Sequence, residues 1–250
     1  MIKTSKMKQQ QPESKIISSK LGQNKAIVFD SGTLISFSMN GMTDIVKKLK
    51  SIFTGKFLIT SEVKKEVVDV PLGIKKFELD ALNIKALLDE RVIELPSSIG
   101  IKDSEIEKAD NEMLRIANST FSGKGREIHI LDHGEASCLA LSKILDKMEI
   151  KNVIAIDERT TRLLVERPEN LKGIFEDRMN TKVTIKNQNL KFFRNFRIIR
   201  SAELAYVAYK KNLLDLKNSL VLDALLYALK FKGAAISGNE IEEIKRLGYT

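Results

Sequence analysis

The chain has 250 residues, of which 43% are hydrophobic and 30% charged, and it carries a formal net charge of +9. This composition excludes a disordered chain, and the length suits one enlarged domain or one domain with an appendage. A single cysteine, Cys138, excludes an internal disulfide, and no apolar run reaches the roughly 20 residues of a membrane helix.

Residues 1–24 are polar and lysine-rich, with Lys3, Lys6, Lys8, Lys15 and Lys20 against the single Glu13. The segment reads as a flexible basic tail, and it lacks the apolar stretch of a secretory signal. Together with the lone cysteine, this points to a cytoplasmic protein with no membrane partner. The basic balance favours polyanionic partners, nucleic acid or an acidic membrane surface, and is by itself a weak signal.

Ala26-Ile27-Val28-Phe29 is a short continuous apolar run, as expected of a strand buried on both faces of a parallel sheet, and it ends at Asp30. A helix over about 43–53 follows, then the apolar Phe57-Leu58-Ile59 and a helix from Ser61, with Thr60 and Ser61 as good helix starters. Helical stretches at about 74–90 and 103–120 flank the strand-like Val92–Leu95, and Ser122-Gly123-Lys124-Gly125 reads as a loop. The helix 132–146 has an apolar stripe, and Val153-Ile154-Ala155-Ile156 is another buried-strand run ending at Asp157. Residues 166–200 read as an insertion with strands near 182–186 and 196–199. Helices near 201–211, 218–231 and 238–247 complete the chain. Alternating apolar runs and amphipathic helices predict an α/β fold with a mainly parallel sheet.

Ligands of parallel α/β sheets bind beyond the carboxyl ends of the strands. Asp30 and Asp157 each follow a predicted strand, so each is either a site residue or a plain cap of the next turn. Asp132 and Glu135 open a helix at the spacing of a capping box, and Glu135 on the first turn could equally face the same crevice. Gly134 would permit a close approach there. Glu66 on the helix 61–69 is, taken alone, an ordinary surface glutamate. Carboxylates gathered in one place repel one another unless a cation is present. Hard ions such as Mg²⁺ or Mn²⁺ take oxygen ligands and serve phosphodiester cleavage without histidine or cysteine.

Four stretches, in this order, resemble the motifs of the PIN nuclease family. They are Ile27-Val28-Phe29-Asp30-Ser31-Gly32-Thr33-Leu34-Ile35, Thr60-Ser61-Glu62-Val63-Lys64-Lys65-Glu66-Val67, Leu131-Asp132-His133-Gly134-Glu135-Ala136 and Ile154-Ala155-Ile156-Asp157-Glu158, with Arg162 soon after. The third is similar to a microbial subgroup with a Gly-Glu-Ala triplet. The resemblance covers about 25–165, with 201–250 as C-terminal helices packing on that core. It implies a three-layer α/β/α sandwich and a Mg²⁺- or Mn²⁺-dependent endoribonuclease. It implies Asp30, Glu66, Glu135 and Asp157 as catalytic metal ligands, and Ser31, Asp132, Glu158 and Arg162 in support. RNA is the implied substrate, with structured DNA as the variant, and an antitoxin-like protein and a homodimer are the implied protein partners. Glu158 where many relatives have Asp, the long spacer between Glu66 and Asp132, the inserted 166–200 and the basic tail depart from the family pattern.

Two rival readings stand beside this one. Phe29-Asp30-Ser31-Gly32-Thr33-Leu34 also resembles the haloacid-dehalogenase motif, but that alignment puts Phe29 and Ser31 where its two catalytic acids belong. A non-catalytic module that binds RNA or protein on the same fold is the other. His129 and His133 lie four apart, yet 129–131 precede the predicted helix, so their spacing does not make a metal site. Phe192, Phe193 and Phe196 with Lys191 and Arg194 read as core or an oligomer contact, or as an aromatic-basic RNA surface.

Overall fold

The structure is a computed structural model that describes residues 24–248, so the predicted basic tail lies, apart from Asn24, outside the described residues. Strand β1 (Lys25–Phe29) is buried from Ala26 onward, as its unbroken apolar run requires. It pairs in parallel with β2 (Lys56–Leu58) on one side and β5 (Lys151–Ala155) on the other. A short edge strand, β7 (Ile198–Ile199), joins β5 in parallel. The central sheet therefore has the order β2-β1-β5-β7 and is parallel throughout.

Helices cover both faces of this sheet, as a three-layer α/β/α sandwich. On the first face, α1 (Ser31–Met39) and α2 (Thr43–Ile52) connect β1 to β2, and α4 (Glu78–Asp89) packs against both. On the second, α5 (Asp103–Asn118) packs along α6 (His133–Lys147), which rests on β1 and β5. Right-handed crossovers require this split, because the chain leaves β1 in one direction and returns to its other side. The α6 helix is enclosed between sheet and α5, and Ala136, Cys138, Leu139, Ala140 and Leu141 are fully buried. The Phe29 and Phe57 rings meet edge to face at 5.1 Å in the same core.

Several elements differ from those expected. The helix α1 was hidden in the sequence, because Ser31, Gly32, Thr33, Ser36 and Ser38 look like loop residues. It forms because Asp30 caps it and because Leu34 and Phe37 are buried beneath it. The helix from Ser61 is α3 (Ser61–Lys64), and it runs straight into a π turn at Lys65–Asp69. The expected helix 74–90 starts only at Glu78, since Pro71 opens a separate 3₁₀ turn at Pro71–Gly73. Val92–Leu95 lies beside β2 through a single bridge, Leu58 to Glu94.

The expected loop at 122–125 is a hairpin of β3 (Phe121–Gly123) and β4 (Arg126–Glu127), turned by Lys124 and Gly125 at φ of 51° and 74°. Positive φ at both central residues is what a tight two-residue hairpin turn demands. Within 166–200, β6 (Val183–Ile185) pairs with β3 in a second, antiparallel sheet, whereas β7 belongs to the central one. Helices α7 (Arg159–Glu166), α8 (Pro168–Met179) and α9 (Asn187–Leu190) fill the remainder of that region and its approach. Phe193 is buried, and Lys143 lies 4.9 Å from the ring centre of Phe192 and 5.6 Å from that of Phe196. The chain closes with α10 (Ser201–Lys210), α11 (Val221–Phe231) and α12 (Gly238–Gly248), packed on one another, and α10 also reaches α1 and α2.

Candidate active site

The strand order reverses between β1 and β5, and the carboxyl ends of such neighbours open into a crevice. Asp30 stands at that end of β1, its amide bonded to the Ala155 carbonyl at 3.0 Å. Asp157 follows the end of β5, one residue beyond Ile156. The two acids thus leave adjacent parallel strands on the same edge of the sheet.

Asp30 is 3% exposed. Its Oδ2 accepts the Gly32 amide at 3.2 Å, whereas Oδ1 is buried without a hydrogen-bond partner. Burial pushes this carboxyl up to about 8, and the charges of Glu135 and Glu66 push the same way. Cap and site residue are therefore not alternatives at Asp30. One oxygen closes the helix start, and the other is left over.

Glu66 sits in the π turn after α3 and is exposed. Its carboxyl is raised by partial burial, and the Ser31 hydroxyl opposes the shift by hydrogen bonding. A Cβ added to Gly134 would fall 2.7 Å from both Glu66 carboxylate oxygens. The room left at Gly134 is thus occupied by the Glu66 carboxylate, which reaches the start of α6 only because residue 134 has no side chain. A π turn adds a residue to the helical repeat and re-aims the side chains within it.

Glu135 is half-buried, and its Oε2 accepts the Asp132 amide at 2.9 Å, completing the capping box expected from the sequence. It also raises the pKa of Asp30, so the capping glutamate and the glutamate beside the crevice are one residue. Burial raises Glu135 too, against its own hydrogen bonds to the backbone. Cys138, fully buried one turn further along α6, has its thiol pushed well above the ordinary value by burial and by Asp30, Glu135 and Glu66. The charges of Glu66 and Glu135 thus both bear on Asp30 and on Cys138.

Asp157 is bound differently. It is 4% exposed, and its Oδ1 accepts the Ser201 amide at 2.9 Å, at the start of α10, while Oδ2 is buried and unpartnered. Burial raises its pKa, and Ser201, Arg162 and Arg200 oppose the rise. It does not cap the helix that follows it. That task falls to Glu158, whose side chain accepts the Thr161 amide at 2.6 Å. Arg162 is nearly buried and donates to the Ala235 carbonyl at 3.3 Å. Asp132 is exposed, and its Oδ1 pairs with His129 Nε2 at 2.8 Å.

Three further contributors carry no local sequence signal. Thr33 donates to the Ala155 carbonyl at 3.0 Å and ties α1 to β5. Ser201 bonds Asp157 from more than 40 residues away, and Arg200, held by Glu203 and Glu240, acts on it through its charge. Among the described residues, no three His, Cys, Asp or Glu side chains stand ready to hold a metal ion. Glu135 and Asp157 are both turned to backbone amides instead. No helix of the described residues is long and apolar enough to cross a membrane. No family model matches the chain, and neither a curated protein nor a solved structure matches it.

Proposed function

We propose that this chain is a Mg²⁺- or Mn²⁺-dependent endoribonuclease of PIN type, working in the cytoplasm. Asp30, Glu66, Glu135 and Asp157 form its catalytic and metal-binding set. The observation that carries the reading is Asp30, a buried carboxylate with one unpartnered oxygen and two further carboxylates pressing on its charge. Such an arrangement is costly unless a proton or a cation relieves it. The donors fit a hard ion, since every candidate ligand atom is oxygen and Asp157 Oδ2 is a second buried acceptor without a partner. A bound ion would supply Lewis-acid stabilisation of the charge that develops on a phosphodiester.

The chain's own residues do the rest. Asp30 and Asp157 are fixed by the backbone amides of Gly32 and Ser201, and each keeps a second, unpartnered oxygen for an ion. Ser31 lowers the Glu66 carboxyl against its partial burial, and Glu135 stands on the first turn of α6. Asp132 and Glu158 keep the starts of α6 and α7 in place, and Arg162 ties α7 to the C-terminal segment. RNA as the substrate, with an antitoxin-like partner and a homodimer, follows from the resemblance. The +9 charge agrees with a polyanion.

A second reading is a non-catalytic module on the same fold that binds RNA or protein. It is favoured by Glu135 and Asp157 already being satisfied by backbone amides. A panel of labelled RNAs, with a structured DNA arm, separates the two. The nuclease cuts RNA with Mg²⁺ or Mn²⁺ and stops in EDTA. Binding without turnover in either metal would establish the module, and cleavage that survives chelation would refute the metal mechanism.

A further inference from the structure

Beside the acid crevice, with a lining that does not include Asp30, a recess of about 170 Å³ opens between the starts of α3 and α6 and the first half of α5. Its wall carries Glu62, Asp103, Glu107 and Asp110, together with His133 and the apolar Ile106. Asp103, Glu107 and Asp110 lie at i, i+4 and i+7 of α5, which puts them on one helix face. The first two stand exposed at the rim, and Asp110, 2% exposed, lies at the bottom. Asp110 Oδ2 pairs with His133 Nδ1 at 2.7 Å, and its Oδ1 is buried with no hydrogen-bond partner. The buried face of α5 is made by Ile106, Asp110, Met113, Ile116 and Ala117, and the exposed Asp103 and Glu107 lie outside it.

We propose that this recess is a binding site for an organic cation bearing a guanidinium group. Glu62 is shared with Lys65 at 3.8 Å, which leaves Asp103, Glu107 and Asp110 against the single imidazole, so the recess attracts positive charge, and the unpartnered Asp110 oxygen calls for a donor. Its carboxylates are spread over two turns of α5 and the start of α3. A guanidinium suits the recess. The group is planar, sheds its hydration more readily than an ammonium, and carries five donors for several separated acceptors. The His133 ring offers a face on which it can stack, and Ile106 offers apolar surface for an aliphatic stem. Asp30 does not line the recess, whereas Glu62 and His133 also bear on the Glu66 carboxyl, so the Asp30 variant is the one that separates this site from the nuclease reading.

The probe is agmatine, a guanidinium on a short aliphatic amine, titrated calorimetrically into the full chain in EDTA at constant ionic strength, with chemical shifts read in parallel. The expected result is saturable one-to-one binding, with shifts centred on α5 and His133. Glu62→Gln with Glu107→Gln, at rim positions where folding is not at risk, weakens it at least tenfold. Asp110→Asn weakens it further, and Asp30→Asn leaves it unchanged. Spermidine, with more charge and no guanidinium, binds less tightly. Absence of saturable agmatine binding would overturn the proposal. So would binding lost with Asp30→Asn but kept in the rim variant, or spermidine binding more tightly, which would mark a general sink for cations.

Discussion

Asp30→Asn offers a quantitative test of the crevice that needs no substrate. The wild-type carboxyl is 3% exposed and raised from 3.8 to about 8. A group whose folded pKa is raised contributes stability that is full below the unfolded pKa and is lost as pH climbs to the folded one. The window is therefore pH 3.8 to about 8, and across it the metal-free protein loses about 1.4 kcal/mol per pH unit at this site. At pH 7 the loss is on the order of 4 kcal/mol, and by pH 9 it levels off near ~6 kcal/mol. Asn carries no such charge, and its side-chain oxygen can still accept the Gly32 amide. The variant should thus match the wild type near pH 4 and exceed it at pH 7, by roughly 10 °C in Tm for a chain of this size. Urea unfolding in EDTA at half-unit steps from pH 5 to 9 reads the difference directly. Adding Mn²⁺ should shrink it, because the ion stabilises only the charged wild-type site. A stability gap that stays flat across the pH range would refute the burial and crowding inferred for Asp30.

Gly134→Ala should leave stability unchanged or raise it by up to ~1 kcal/mol, because Ala is the better helix former. Its methyl would displace the Glu66 carboxylate, now 2.7 Å from that position, so metal-dependent cleavage should fall by orders of magnitude; full activity in the variant would remove Glu66 from the site. Asp157→Asn keeps an acceptor for the Ser201 amide and should lose cleavage without lowering Tm, because burial raises the Asp157 carboxyl too, whereas Asp157→Ala should cost about 1 kcal/mol relative to Asn in chemical denaturation. Glu135→Gln retains the bond to the Asp132 amide, so an inactive variant with an unchanged melting curve separates chemistry from capping, and an active one assigns Glu135 to the cap alone. Deleting residues 1–22 should lower the salt dependence of RNA binding by about 0.7 in log–log slope for each phosphate that the tail neutralises, and an identical slope would assign the lysines another role.

Much of the fold was legible because local physics and tertiary environment agree. The unbroken apolar runs at 26–29 and 153–156 can be satisfied only between two helical layers, and they form the two central strands. The capping pattern at Asp132 and Glu135 depends on atoms three residues apart, so it too could be read in advance. The segments that escaped were those stabilised from a distance. The helix α1 looks like a loop until Asp30 caps it and Phe37 finds the core, and the hairpin at 121–127 depends on β6, about sixty residues on.

The site divides along the same line. Sequence spacing alone places Asp30 and Asp157 at strand ends and Glu135 on a first helical turn, since those positions follow from backbone periodicity. Only the tertiary structure decides what each carboxylate faces. It seats Glu66 against Gly134 by way of a π turn, brings Ser201 and Arg200 to Asp157, and leaves one oxygen of Asp30 buried and unpaired. Burial, charge crowding and orphaned acceptors arise from elements distant in the chain, so no local pattern encodes them.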